Sequence, residues 1–276
     1  MANAPPPGPP WDLPLAEAPL AFVDLEMTGL DAKKDRVVEV CIERVRGTTL
    51  EERLHTLVRP EGGELGNVHI HGLDDGVLAG APAFADIAER VAAILDGAVL
   101  VAHGASWDVG FLEAEMARAG RPDWSVPFYI DTLQLSRRTF ALAKHSLDAL
   151  AAHFGLDRSR AHRADADVTA LRDVFARCID ALEPTTPRDV WQVRIAEGKA
   201  REQILRECRE AAASGRVVHV TYRPRAKAPM TLTMVIQTVN ADHDPPHVTG
   251  YLLPGRGRKE LRADRILRIE PEIPGD

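Results

Sequence analysis

Asp24 and Glu26 close the apolar run Leu20-Ala-Phe-Val-Asp-Leu-Glu26, two residues apart. On a β-strand, residues i and i+2 project from the same face, so these two acids would stand side by side. Adjacent carboxylates repel each other and resist leaving water. A divalent cation with oxygen ligands is the simplest partner for them. Two later stretches could complete such a site. Asp108 follows the short apolar run Val99–His103 and opens a helical pattern, where an acid could also serve only as an N-cap. His162-Arg-Ala-Asp-Ala-Asp167 stands at another helix start, with His162 and Asp167 slightly more than one helical turn apart. Four carboxylates and one imidazole are more than a simple acid–base pair requires, and they suit two hard cations.

The elements that must position these groups follow from pattern. Residues 20–26, 36–45 and 53–58 read as strands, the second rich in Val and Ile. Helical periodicity runs over 82–95, 109–119, 132–138, 147–154 and 164–179, with short strands at 98–103 and 128–131. Strands first, then alternating strands and helices, predict an α/β domain with a mixed sheet. Glu183-Pro-Thr-Thr-Pro187 marks a boundary, a long helix is expected over 188–214, and strands at 217–222, 231–238, 248–253 and 259–269 predict a small β-rich domain. The expected division is a disordered Pro-rich tail at 1–18, a catalytic domain at 19–183, a linker helix at 184–214 and a β domain at 215–276.

Bulk properties narrow the function. The 276-residue chain has net charge −7. Residues 186–276 carry 16 Lys and Arg against 12 Asp and Glu, a net of +4, which leaves 18 basic against 29 acidic residues elsewhere, a net of −11. An acidic first part suits cations, and a basic second part suits a polyanion. No apolar run is long enough to span a bilayer, so no membrane role is expected. The N-terminus lacks the pattern of a secretory signal. Three scattered cysteines, Cys41, Cys178 and Cys208, argue against a disulfide framework and fit the cytoplasm.

The segments Phe22–Leu30, Val101–Leu112 and His162–Leu171, in this order, resemble the three motifs of the DEDDh, or DnaQ-like, 3′–5′ exonucleases over about residues 19–181. Ile130-Asp-Thr-Leu133 and His145-Ser-Leu-Asp-Ala-Leu150 are also similar to that family. The resemblance implies an RNase H-like mixed sheet flanked by helices. It further implies that Asp24, Glu26, Asp108 and Asp167 hold two Mg²⁺ or Mn²⁺ ions, and that His162 is the general base, an imidazole being suited to proton removal near neutral pH. Thr28, Leu30 and Phe111 would line the pocket for the terminal nucleotide. The chain departs from the family pattern where His103-Gly104 stands for His-Asn and Trp107 for Phe.

Other residues invite plainer readings. Asp165 has the right type at the wrong offset and is expected to face solvent. His103 reads as a loop histidine, and His145 and Asp148 as residues that orient the next helix. His69 and His71 flank a loop near the expected cleft, and His243 with His247 lacks the nearby acids of a zinc site.

Gly215–Pro224, Gly250-Tyr-Leu-Leu253 and Arg262–Glu270 resemble a WYL domain, a small SH3/Sm-like β-barrel, with Gly250-Tyr251-Leu252 in place of Trp-Tyr-Leu. That likeness implies a nucleotide or oligonucleotide ligand, with Tyr222, Arg223, Arg262 and Arg265 as contacts. The expected function is trimming of single-stranded nucleic acid, DNA favoured over RNA, from the 3′ end to nucleoside 5′-monophosphates. The alternatives are a nucleic-acid or nucleotide sensor with little turnover, or an oligoribonuclease-like enzyme for very short RNA. Nothing in the chain specifies a polymerase partner.

Overall fold

The computed structural model describes residues 4–62, 65–140, 142–222, 224, 230–241 and 246–272, with the side chains of Ile70 and 193–201 excepted. The chain divides into two compact units, Met1–Val193 and Arg194–Asp276.

In the first unit, β1 (Pro19–Met27), β2 (Val37–Arg46) and β3 (Thr49–Leu57) form an antiparallel meander, as their β-branched content and short connections predict. Two short helices follow, α1 (Val68–His71) and α2 (Asp75–Leu78). Neither is visible as periodicity, because one helical turn is too short to show it. Then come α3 (Phe84–Leu95), β4 (Val99–Ala102), α4 (Ser106–Arg118), β5 (Ile130–Asp131), α5 (Thr132–Thr139), α6 (Leu147–Phe154) and α7 (Ala164–Leu182). The sheet order is β3-β2-β1-β4-β5, with β1, β4 and β5 parallel.

The two faces of β1 divide the core. Ala21, Val23 and Leu25 join Phe84, Val91 and Ile94 of α3 and Val109, Leu112 and Met116 of α4. On the other face the Phe22 ring meets Phe175 of α7 edge-on, with centroids 5.4 Å apart. By the two-residue period of a strand, Asp24 and Glu26 belong to the α7 face.

The expected disorder of the first 18 residues does not hold for the described part. Trp11 is buried and packs edge-on against Phe128, which in turn meets Trp191 of α8 (Pro187–Ser214). Arg188 bonds the carbonyls of Pro5 and Pro6 and the Asp12 carboxylate, and its amide donates to Trp11 O. A Pro-rich composition lowers the entropy available to the free chain, and Trp11, Arg188, the bond from the Leu15 amide to Thr185 O and the bond from Arg46 to Glu17 O fasten it.

The second unit is an antiparallel sheet, β10-β6-β7-β8-β9, made of β6 (Val217–Tyr222), β7 (Met230–Asn240), β8 (His247–Leu252), β9 (Arg258–Arg262) and β10 (Ile266–Pro271). The single strand expected over 259–269 is two strands, broken by a 3₁₀ turn at Ala263–Arg265 in which Ala263 is buried. The turn frees β10 to pair with β6 at the opposite edge. Gly250 is required sterically, since a Cβ there would lie 2.2 Å from Val235 O. No large side chain could stand at that position. Among the described residues, no helix is long and apolar enough to cross a membrane.

Candidate active site

β1 carries Asp24 and Glu26 to the end of the sheet, and α7 and α4 bring the other acids to them. Asp167 lies in the first turn of α7 and Asp108 in the first turn of α4, each only 7% exposed. The helix holding Asp108 begins at Ser106, so this acid is an internal residue and not the N-cap. The carboxylates sense one another. Burial, followed by the charges of Asp108, Asp167 and Glu26, pushes Asp24 well above the ordinary carboxylate range. Burial and the Asp167 charge push Glu26 up to about 7. Burial pushes Asp108 up to about 8, and it also raises Asp167 against the opposing charges of Arg158 and His162. The exposed His162 sits at φ 63°, a left-handed conformation uncommon for a residue with a Cβ. Its ring nitrogen and one carboxylate oxygen each from Glu26 and Asp167 lie within 4.8 Å of one another. The structure therefore brings all five expected residues to one place.

A scaffold of bonds distant in sequence holds these groups. The His103 ring bridges Thr132 Oγ1 and His145 O, both at 2.9 Å, and burial keeps its pKa low. Asp131 accepts from the amides of Gly104 and Leu133 at 2.9 Å, so it caps α5 and fixes the turn that launches α4. Gly104 has φ 79°. Gly enters that left-handed region without steric cost, and Asn is among the few other residues that visit it, so Gly can take the position that the resembled family pattern gives to Asn. On the same face of the sheet, beside Glu26, the fully buried Glu39 of β2 accepts two bonds from the Arg163 guanidinium (3.0 and 2.9 Å) and one from the Ala164 amide (3.3 Å), and it pairs with His55 Nε2 (2.8 Å). This clamp seizes the two residues that follow His162. Glu115 of α4 is likewise buried and takes a fork from Arg36 at 2.7 and 2.9 Å.

Several expected contacts are placed differently. Phe111 is fully buried in the core beneath α4 and cannot wall an open pocket. Positions i and i+3 share a helix face, so Phe111 lies on the Asp108 side of α4, one turn further along, where the core covers it completely. Thr28 is 5% exposed, and its groups are used internally: Oγ1 accepts from the Arg36 amide, and its own amide donates to Arg36 O. Its carbonyl lies so near Gly66 that a Cβ there would approach it to 2.2 Å. Leu30 is 69% exposed and remains available to a ligand, as does the half-exposed Trp107 beside Asp108, which sequence reasoning noted only as a departure. Asp165 does not simply face solvent, because Arg160 forks onto it at 2.9 and 3.0 Å. His71 is buried, with Nδ1 accepting from the Leu73 amide, and serves its own loop.

In the second unit, Tyr222 is 9% exposed and belongs to the core. Arg262 forks onto Asp264, and Arg265 is partly buried in the 3₁₀ turn. Arg223 and His243 lie outside the described residues. Sequence reasoning missed Arg158, Arg163, Glu39, Arg36 and Glu115. The one available signal was Glu39 itself, an acid inside Val37-Val-Glu-Val-Cys-Ile42, which a strand can bury only with a partner.

A mixed five-stranded sheet between helix layers, with four acids and a histidine gathered at the end of β1, defines an RNase H-like nuclease domain. The family model RNase_T, described as Exonuclease, matches residues 21–175, more than half of the chain, and the chain belongs to that DnaQ-like family of nucleases. The chain is 32% identical over 160 residues to the DNA polymerase III subunit epsilon of Treponema pallidum, covering 56% of this chain and 74% of that protein. It is 29% identical over 174 residues to the PolC-type DNA polymerase III of Thermotoga maritima, covering 62% of this chain but only 13% of that much longer relative. The zinc-bound complex of E. coli ExoI with single-stranded DNA shares the fold at TM-score 0.56 and 17% identity, covering 85% of this chain and 54% of that one.

Proposed function

We propose that this chain trims single-stranded nucleic acid from its 3′ end, releasing nucleoside 5′-monophosphates, with DNA favoured over RNA. The observation that carries this reading is the gathering of Asp24, Glu26, Asp108, Asp167 and His162 at one strand end, with three of the five within 4.8 Å. The four acids fit two Mg²⁺ or Mn²⁺ ions. They are oxygen donors held so closely and so far from water that their pKa values rise, and Arg158 makes the one direct ion pair with any of them among the described residues. When bound, the ions supply charge stabilisation for the attacking and leaving oxygens.

His162 takes the proton from the attacking water, and its exposure lets the proton pass on to solvent. The Glu39–Arg163 clamp sets the position of that ring by fixing the next two residues. Leu30 and Trp107 offer apolar surface to a terminal base, Trp107 by stacking. The positive charge of the second unit, including Arg262 and Arg265, supports retention of the strand.

DNA is favoured because the Treponema relative carries a DNA polymerase name and the ExoI neighbour was solved with single-stranded DNA. The polymerase names also make a polymerase partner worth testing by co-purification. The decisive assay compares 5′-labelled single-stranded DNA, RNA and duplexes with 3′ overhangs in Mg²⁺. A descending ladder, strongest on single-stranded DNA, is expected. Products confined to dinucleotide substrates would favour a short-oligonucleotide enzyme, and binding without any product would favour a sensor.

A further inference from the structure

The loop between α6 and α7 carries a cation into the acid cluster. Arg158 Nη1 lies 2.5 Å from Asp167 Oδ1, and Nη2 reaches toward Oδ2 at 3.5 Å. The same guanidinium holds Asp148 through Nε (2.9 Å) and Nη2 (2.6 Å). The Arg158 and Asp167 side chains are only 15% and 10% exposed, whereas Asp148 is 56% exposed.

The geometry points to Arg158 as an internal counter-ion: without metal its guanidinium occupies the carboxylate of Asp167, and it yields that carboxylate to a divalent cation. This inference rests on the cation-binding reading of the site given above.

Three features support it. The guanidinium spans both oxygens of Asp167, the edge that a cation would need. Arginine cannot shed its proton to leave the site neutral, so it can be released only by displacement. Asp148 provides a second anchor on α6, so displacement from Asp167 does not require the loop to unfold. The arrangement gives a cluster of four acids a resident positive charge until two further charges arrive on a metal ion.

An orienting role makes the opposite prediction. If Arg158 held Asp167 in the geometry that a cation prefers, losing the arginine would weaken metal binding.

The test is calorimetric titration of the full-length, metal-free protein with Mn²⁺ alone, without nucleic acid. Arg158→Gln should tighten Mn²⁺ binding by about tenfold, the factor given by removing a competing ion pair of about 1.4 kcal/mol. Should that variant not fold, Arg158→Lys replaces the fork with a single point charge and should tighten binding by a smaller factor. Affinity unchanged or weakened in the folded variant would overturn the counter-ion role. Failure of the wild type to bind Mn²⁺ at all would overturn the cation reading itself and this inference with it.

Discussion

Glu26 and Glu39 face each other across the β1–β2 ladder, yet their electrostatic states are opposite. Glu39 is fully buried, and burial alone would raise its pKa. Arg163, His55 and the Ala164 amide together outweigh that penalty and hold it below the ordinary range. Glu26 is more exposed at its surface, yet its burial goes uncompensated and, with Asp167 and Glu39 as repelling neighbours, pushes it up to about 7. Glu115 is likewise held by a direct Arg36 fork, whereas burial pushes Asp24 and Asp108 above the ordinary carboxylate range. One set of acids is saturated by the protein and serves as structure. The other is left short of positive charge, at a cost in stability, and such a cost persists where function needs it.

The comparison can be broken most severely at the unsaturated set. Asp24→Asn should reduce exonuclease turnover to background in Mg²⁺ while leaving the metal-free fold as stable as wild type or more so, because a repelled charge is removed. A thermal melt in chelator beside a nuclease assay checks both halves. Next in size, His162→Ala should lower turnover by about 10²- to 10⁴-fold and leave Mn²⁺ affinity nearly intact. Equal loss of both would make His162 a ligand and not a base.

Glu39→Gln tests the saturated set. The substitution removes a charge-assisted fork from Arg163, whose side chain is one-third exposed, so denaturant unfolding should show a loss of about 2 kcal/mol. Stability unchanged by this substitution would erase the contrast between the two sets.

A subtler effect is the pH dependence of the metal-free protein. Glu26 and Asp108 have folded pKa values raised to about 7 and about 8, so between about pH 4 and those values the folded state binds more protons than the unfolded state. Stability in chelator should therefore fall as pH rises from about 4.5 toward 8, and Mg²⁺ should flatten that slope. The smallest effect is expected in the second unit. Replacing both Arg262 and Arg265 by Ala should weaken single-stranded DNA binding a few-fold and reduce the salt slope by about one per lost phosphate contact. An unchanged slope would assign these arginines to the unit's own packing.

What could be read from sequence was local. Asp24 and Glu26 share one strand, and His162 stands slightly more than one helical turn before Asp167, so spacing alone places each pair together. The saturating partners were not legible, because Glu39 meets Arg163 across 124 positions and Arg36 meets Glu115 across 79. Only the folded sheet makes them neighbours. Spacing puts Phe111 on the same side of α4 as Asp108, but it could not reveal that the core covers that ring completely. The Pro-rich start misled for a compositional reason, since the buried Trp11 and the bonds around it outweighed the disorder that its neighbours suggested. In the second unit the strands were legible, but the break at Ala263 was not, because no Gly or Pro marks that turn.

The central claim is that the unsaturated acids exist to hold cations for cleavage at a 3′ end. The most direct measurement follows 5′-labelled single-stranded DNA with wild-type protein and Asp24→Asn, each in Mg²⁺ and in chelator. A descending ladder is predicted only for wild type in Mg²⁺. Equal ladders from both proteins, or a ladder that persists in chelator, would contradict the account.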